Sequence, residues 1–509
     1  MRPISQQRVE ETREKILETV CSPLLTHEQK VTGLEGLAES LIEVLDLPDG
    51  YAALKEQGVL CDLNESNAPP RPSYIVPDYR RLFQSGCSFL QLDPPKDLDE
   101  ALCALSIFIR HVPSVTNFPV FIGKLDELLE PFAIKEDEAA AKKKLRLFMR
   151  YADRTITDSF CHADIGPKAT LTGRLLLEIE REEPKSVPNL TLFYDKSVTP
   201  HDFALLAAAT ALSSAKPSFA NYPMFCSEFD SDFAIASCYN GLYTGGGAYT
   251  LSRLKLGRLA ATAESFDDFW PRLDDATNVM QKYMDARIDF MVSKSNFFES
   301  NFLVKEGFIS RERFTAMFGL VGLAECVNTL MELQGKAGRF GHDKEADELG
   351  LRVMDRLDEL VKAHHNPYCE ITHGHFLLHG QVGIDTDVGE SPAARIPIGE
   401  EPDELSDHLT HCGRFHGYFP SGTGDVFVVE PTAHKNPQYL LDIVNGGFSQ
   451  GVRYLSIHAG DSDVIRITGY LVKRSEMDKL SAGISSLHDT TALGLGSVRN
   501  SRILERKRR

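Results

Sequence analysis

Few side chains in this 509-residue sequence fall into a spacing that could do chemistry. Cysteines stand at positions 21, 61, 87, 103, 161, 226, 238, 326, 369 and 412 with no C-x-x-C pair, so neither a disulfide framework nor a zinc ribbon is readable. In a reducing compartment most of them should be buried, inert thiols. Histidines gather late in the chain. His373 and His375 alternate and would share one face of a strand, while His408, His411, Cys412 and His416 cluster in an expected loop. Such ligands suit zinc or iron. The plainer reading is polar residues lining an interior or a solvated turn, and no bound metal is expected; whether the His373/His375/His408/His411 group holds one stays open on sequence alone. Gly245-Gly246-Gly247 lacks the G-x-G-x-x-G or G-K-[ST] company of a nucleotide loop, and spacing argues for no Ser-His-Asp arrangement.

Two thiols and one glycine have more telling surroundings. Cys326 shares helical spacing with Leu323, Val327 and Leu330, which reads as a core thiol. Cys238 stands where the strand Asp232–Ala236 breaks into a Gly-rich loop, Asn240-Gly241-Leu242-Tyr243-Thr244-Gly245-Gly246-Gly247. Gly469 interrupts the β-rich run Val464-Ile465-Arg466-Ile467-Thr468-Gly469-Tyr470-Leu471-Val472. Taken alone, a glycine in a strand marks a bulge or a close backbone approach.

Arg466-Ile467-Thr468-Gly469-Tyr470, 509 − 469 = 40 residues from the C-terminus, resembles the radical-bearing loop of the glycyl radical enzymes, the superfamily of pyruvate formate-lyase and anaerobic ribonucleotide reductase. Asn436–Asp442 with Gly451–Ser456 is similar to the helix and strand leading into that loop, and Phe314–Leu323 and Asn189–Asp195 are similar to reductase strands in the same order. Overall size, the late glycine and the missing reductase zinc cysteines resemble the YjjI-type branch. The resemblance implies that the Gly469 Cα loses a hydrogen atom and stores an unpaired electron, a role helped by the absence of a Cβ that would keep the carbon from flattening. It implies Cys238 as the thiol oxidised to a thiyl, with Cys326 as the alternative, and Asn189, Asn240 and His458 as substrate contacts. It also implies a radical-S-adenosylmethionine activating enzyme as partner, which carries the S-adenosylmethionine and the iron–sulfur cluster, while this chain binds no stoichiometric cofactor. Oxygen sensitivity and a small polar substrate follow, and a homodimer is compatible with the reading. Ser237 replaces the first of the lyase's paired cysteines, Asn240 stands where the radical dehydratases have Glu, and Lys255 replaces a family asparagine. The resemblance therefore leaves the substrate open. A lyase on a small metabolite is the preferred expectation; a ribonucleotide reductase-like activity and a non-catalytic spare part are the alternatives.

The elements that would position these residues follow from the patterning. Residues 5–46 read as helix with a stripe through Ile16, Val20, Leu34, Leu37, Leu41 and Leu45, followed by a Pro-rich break and further helices at 97–112 and 122–158. After Pro188, strands alternate with helices: Asn189–Tyr194, 201–213, Thr315–Leu320, Leu323–Gln334, Asp425–Val429, Pro437–Phe448, Arg453–His458. That alternation predicts an α/β fold, and with the resemblance an α/β barrel of two half-sheets surrounded by helices. The divisions expected are a mainly helical region 1–184 packed on the barrel, a core 185–435 with the cysteine loop, a glycyl radical domain 436–482 and a mobile tail 483–509. A net charge of 55 − 73 = −18 argues against binding phosphate backbones. The longest apolar run, Phe203 to Leu212, is far below the roughly 20 residues of a membrane helix, and a cytoplasmic location is expected.

Overall fold

The computed structural model describes residues 4–39, 41, 44–62, 71–116, 120–156, 161–236, 239–380, 390–466, 470–487 and 505–509. Its strands run as β1 (Leu60–Asp62), β2 (Tyr74–Val76), β3 (Phe121–Lys124), β4 (His162–Ile165), β5 (Asn189–Tyr194), β6 (Ser218–Asn221), β7 (Phe233–Ala236) and β8 (Asn240–Tyr243). They continue as β9 (Gly246–Lys255), β10 (Phe314–Val321), β11 (Leu377–Gly380), β12 (Asp425–Val429), β13 (Tyr454–Ala459), β14 (Val464–Arg466) and β15 (Leu471–Lys473). Six strands form one sheet in the order β12-β13-β6-β5-β4-β3, and five form another, β1-β9-β10-β11 with β2 also on β9. β3 to β6 are mutually parallel, as are β9 to β11, and as β12 is to β13. Parallel neighbours need long crossovers, supplied here by helices such as Leu171–Glu182, His201–Ser214, Phe266–Ser293 and Pro437–Ser449. This is the mixed α/β architecture that the alternation predicts.

The two faces of the six-stranded sheet differ in chemistry. Leu190, Leu192, Phe219, Phe427, Leu455 and Ile457 point outward into the main apolar core beneath the helices. One residue on, strands β4, β5, β6 and β13 bring polar groups to the other face, where His162, Asp164, Asn189, Thr191, Ser218, Ser456 and His458 are all buried. Burying polar groups without water costs free energy unless they find partners, so this face is built for contacts.

Between the sheets lies the antiparallel hairpin β7–β8. Ala234, Ala236 and Leu242 on one of its faces pack with Tyr74, Val76, Leu251 and Met317 of the five-stranded sheet and with Phe121 of the other. Phe233, Ile235 and the adjoining Tyr239 pack against Phe193, Ala220 and Tyr454 of the six-stranded sheet. The Ile235 amide donates to Asp164 Oδ2 (2.9 Å) and the Gly241 amide donates to the Ser421 carbonyl (2.8 Å), which fixes the hairpin at both strands. A second hairpin, β14–β15, packs Val464 and Leu471 against Ala215 at the end of the helix His201–Ser214.

Several expectations are corrected. The helix expected over 5–46 is two helices, Gln6–Cys21 and His27–Glu39, separated at Pro23, and Ile16 and Val20 are exposed rather than part of a buried stripe. Region 1–184 is mainly helical, and its short strands β1 to β4, runs of three or four residues too brief to show a period, join both sheets. His373 and His375 precede β11; His373 closes a 3-10 turn with φ +54°. His408 to His416 lie on a helix, Leu405–His416, not in a loop. Within the segment expected as a mobile tail, residues 505–509 are docked on β12. Among the described residues no helix is long and apolar enough to cross a membrane.

Candidate active site

Cys238 and Gly469 themselves lie outside the described residues; their immediate neighbours do not. Ala236 and Tyr239 flank the tip of β7–β8, and Arg466 and Tyr470 flank the tip of β14–β15, and all four are buried. The Tyr239 ring lies 5.8 Å from Tyr454 and 5.8 Å from His379, with the Arg395 guanidinium 5.8 Å above it. Tyr454 in turn shares a hydrogen bond with Thr191 Oγ1 (3.1 Å). From the other hairpin, Arg466 Nη2 donates to Asn189 Oδ1 (2.7 Å), and the Asn189 amide nitrogen meets His162 Nε2 on β4. Asn189 and Thr191 are two residues apart on β5, so they share a face and stand about 7 Å apart along the strand. The flanks of both hairpin tips are therefore anchored to one short stretch of the same polar interior face.

Among the described residues, both ring nitrogens of His458, both side-chain polar atoms of Asn240 and Asp164 Oδ1 are buried on this interior without a hydrogen-bond partner. Burial, with Arg474 and Arg466 nearby, depresses the His458 pKa to about 3, so its ring is neutral. Burial drives the Asp164 carboxyl the other way, well above the ordinary range, with the Ile235 amide opposing. Natural proteins leave few buried polar atoms unsatisfied, and where they do a ligand or water is the usual reason. Ser218 and Ser456 pair across the sheet at 2.6 Å beside them. On the facing sheet, Arg253 and His379 are buried on either side of Gly319 in register, and His379 Nδ1 meets Ser421 Oγ at 3.0 Å.

Asn189, Asn240 and His458 are thus on or beside the interior, whereas Cys326 is not. It sits on the helix Leu323–Leu333, fully buried in the apolar core beneath the sheet, with its thiol pKa raised by burial. Sequence reasoning missed Asp164, Thr191, Tyr454, Arg253 and His379. The polar–apolar alternations His162-Ala163-Asp164-Ile165, Asn189-Leu190-Thr191-Leu192 and Leu455-Ser456-Ile457-His458 are local signals that could have revealed a polar inward face.

The histidines do not form one cluster. His411 Nδ1 meets Asp347 Oδ2 at 3.1 Å, and His416 Nδ1 accepts from the Arg453 amide at 3.1 Å. His373 and His375 line a separate cleft of about 560 Å³ with Glu228, Asp230 and Tyr243. His408, Cys412 and Asp425 do converge, with ligand atoms within 4.8 Å of one another. Arg506 Nη2, however, is 3.0 Å from Asp425 Oδ2 and 3.3 Å from His408 Nε2, so a guanidinium stands where a cation would need to sit.

Solved structures with the same fold include the anaerobic ribonucleotide reductase from Thermotoga maritima in complex with dATP and CTP, with a TM-score of 0.68 at 13% identity, covering 94% of this chain and 100% of that one. A glycyl radical enzyme from Archaeoglobus fulgidus matches with a TM-score of 0.63 at 12% identity over 80% of this chain and 68% of that one. The fold is therefore that of the glycyl radical enzymes. At the sequence level, the family model described as "Glycyl radical enzyme YjjI-like" matches residues 25–509. A Haemophilus influenzae protein is 44% identical over 502 residues, 97% of each chain, and Escherichia coli K12 YjjI is 40% identical over 501 residues, 98% of this chain and 96% of that one. The chain belongs to the YjjI-like glycyl radical enzyme family.

Proposed function

We propose that this protein stores a radical on Gly469 and uses it to oxidise Cys238 to a thiyl, which takes a hydrogen atom from a small polar substrate. One observation carries the reading: the described flanks of the two tips, Tyr239 through Tyr454 and Arg466 directly, converge on Thr191 and Asn189 of one strand face. A separate radical-S-adenosylmethionine activating enzyme, holding the iron–sulfur cluster, removes the first hydrogen from Gly469 Cα. Gly469 then takes the hydrogen of the Cys238 thiol, and the thiyl takes one from a substrate carbon. After cleavage or elimination the same hydrogen returns from sulfur to product, and the thiyl regains one from Gly469. Each step moves one hydrogen atom and one unpaired electron in opposite directions, so no external oxidant is consumed per turnover.

This chain's contribution is enclosure and orientation. Two sheets and their helices exclude water and stray hydrogen donors from a reactive radical. Asn189, Asn240 and His458 hold the substrate so that one C–H bond faces the thiyl. The unsatisfied amide and neutral imidazole favour hydroxyl or carbonyl groups, which supports lyase chemistry on a compact, polar metabolite. The fold shared with an anaerobic ribonucleotide reductase keeps a reductase reading in view. Activated protein incubated with small hydroxylated and carboxylated compounds, and separately with ribonucleotides and a reductant, distinguishes them. Consumption of a small compound by wild type and not by Cys238→Ala supports the lyase; deoxynucleotide formation overturns it.

A further inference from the structure

The six-stranded sheet does not end at β12. Arg508 bridges Val428 in parallel register, the Arg509 amide donates to the Val428 carbonyl (2.9 Å), and the Glu430 amide donates to the Arg509 carbonyl (3.0 Å). The last residues of the chain thus cover an edge that would otherwise offer unpaired backbone groups. Arg506 is only 3% exposed, and its Nη2 lies 2.8 Å from Asp425 Oδ1, while its guanidinium stacks 5.9 Å from the Phe427 ring. Cys412 Sγ donates to Asp425 Oδ2 at 3.4 Å. His408, Cys412 and Asp425 therefore make a buried socket whose occupant is the chain's own arginine. Outside it, Lys507 pairs with Asp403 at 2.5 Å and Arg509 Nη1 donates to the Asp403 carbonyl at 2.9 Å.

The last residues run from this socket, at the start of β12 opposite Leu455, to the root of the glycine hairpin at the far end of β12. β13 pairs with β12 on its other edge and ends at Ala459, after which the chain turns at Gly460 into β14–β15. The Gly460 amide donates to the Val429 carbonyl (2.9 Å), Arg474 Nη2 donates to the Gly460 carbonyl (2.8 Å), and a Cβ on Gly460 would lie 3.4 Å from Arg508 Nε. The chain thus passes from β13, on one edge of β12, through Gly460 into β14, while residues 505–509 lie on the other edge of β12 with Arg508 over that exit.

We propose that the C-terminal segment is a latch: seating Arg506 in the His408–Cys412–Asp425 socket holds Arg508 over Gly460 and so keeps the β14–β15 hairpin closed, and its release lets Gly469 reach the activating enzyme. This deepens the Gly469 reading, on which it rests, by naming how access to that residue is controlled. Opening must separate Val464 and Leu471 from Ala215, Ser462 from the Ser213 carbonyl and Arg466 from Asn189. Contacts that fasten the pivot add to the free energy of that local opening.

Two variants test it: a chain lacking residues 505–509, and Arg506→Met combined with Asp425→Asn, which empties the socket without leaving a lone buried carboxylate. Deuterium uptake over residues 464–473 is measured before activation, and the initial rate of radical formation during anaerobic activation is followed by electron paramagnetic resonance. Both are expected to rise about tenfold in both variants, with the final spin yield unchanged. Wild-type uptake and wild-type activation rate in both variants would overturn the latch. No radical in any chain, wild type included, would overturn the Gly469 reading instead, and the uptake comparison would then decide the latch alone.

Discussion

His416 and His458 are neutral in the folded protein because burial holds each pKa at about 3, against 6.5 for an unperturbed ring. Below pH 6.5 the unfolded chain takes up protons that the folded rings refuse until about pH 3. Their contribution is complete above 6.5 and falls by about 1.4 kcal/mol per pH unit for each ring as pH drops through that window. The buried carboxyls of Asp126, raised to about 7, and Asp164 slope the other way, so the rings are read by difference: urea titrations from pH 7.5 to 5 should show wild type falling more steeply with acid than His458→Gln by one ring's share, and identical slopes would contradict a neutral, buried His458. The two thiols should separate just as cleanly. Cys326→Ala is expected to lower stability by about 1 kcal/mol through a small cavity while leaving turnover intact. Cys238→Ala should do the reverse, and a loss of turnover in Cys326→Ala with a preserved fold would exchange their roles. Gly469 and Cys238 could be singled out in the sequence because their flanking residues form short, unusual strings. Asp164 and Tyr454 were not, since each sits in an ordinary strand and gains meaning only from what lies across the sheet.

At the scale of elements, the hairpin β7–β8 is positioned by backbone proximity as much as by side chains. Gly422 has φ +127°, and a Cβ there would stand 2.0 Å from the Tyr239 carbonyl oxygen. Gly422→Ala should therefore displace the hairpin, with a loss of about 1–3 kcal/mol in urea titration and a larger loss of turnover than of radical yield. Equal losses of both would argue that the hairpin does not present the thiol. On the other side, Asn189→Ala removes the Arg466 acceptor and should cost about 1.5–3 kcal/mol, because a buried guanidinium loses a hydrogen bond. The central strands and helices were readable from alternation: Asp425–Val429 and Asn189–Tyr194 were expected residue for residue, and Leu323–Leu333 and Pro437–Ser449 nearly so. The short strands β1 to β4 were not, because partners in distant sequence, rather than local propensity, make them strands. The helix Leu405–His416 was hidden by its four polar ring and thiol residues, which turn inward to Asp347, Asp425 and the Arg453 amide.

For the whole molecule, the arrangement is a layered enclosure: apolar residues face outward into the helices, polar residues face an interior between two sheets, and two hairpins reach into or over it. Composition pointed only to a globular α/β chain, while the assignment to the glycyl radical fold came from a motif and was then matched across 94% of the chain by a solved structure. The docking of the C-terminal segment could not be read, since Arg506-Lys507-Arg508-Arg509 looks like a solvated basic end until Asp425 is placed opposite it. The claim on which all of this depends is that Gly469 carries the unpaired electron and passes it to Cys238. Anaerobic activation followed by electron paramagnetic resonance on wild type, Gly469→Ala and Cys238→Ala tests it most directly. The expected result is a doublet in wild type, none in Gly469→Ala, and a doublet that persists without turnover in Cys238→Ala. The same doublet in Gly469→Ala, or full turnover in Cys238→Ala, would contradict it.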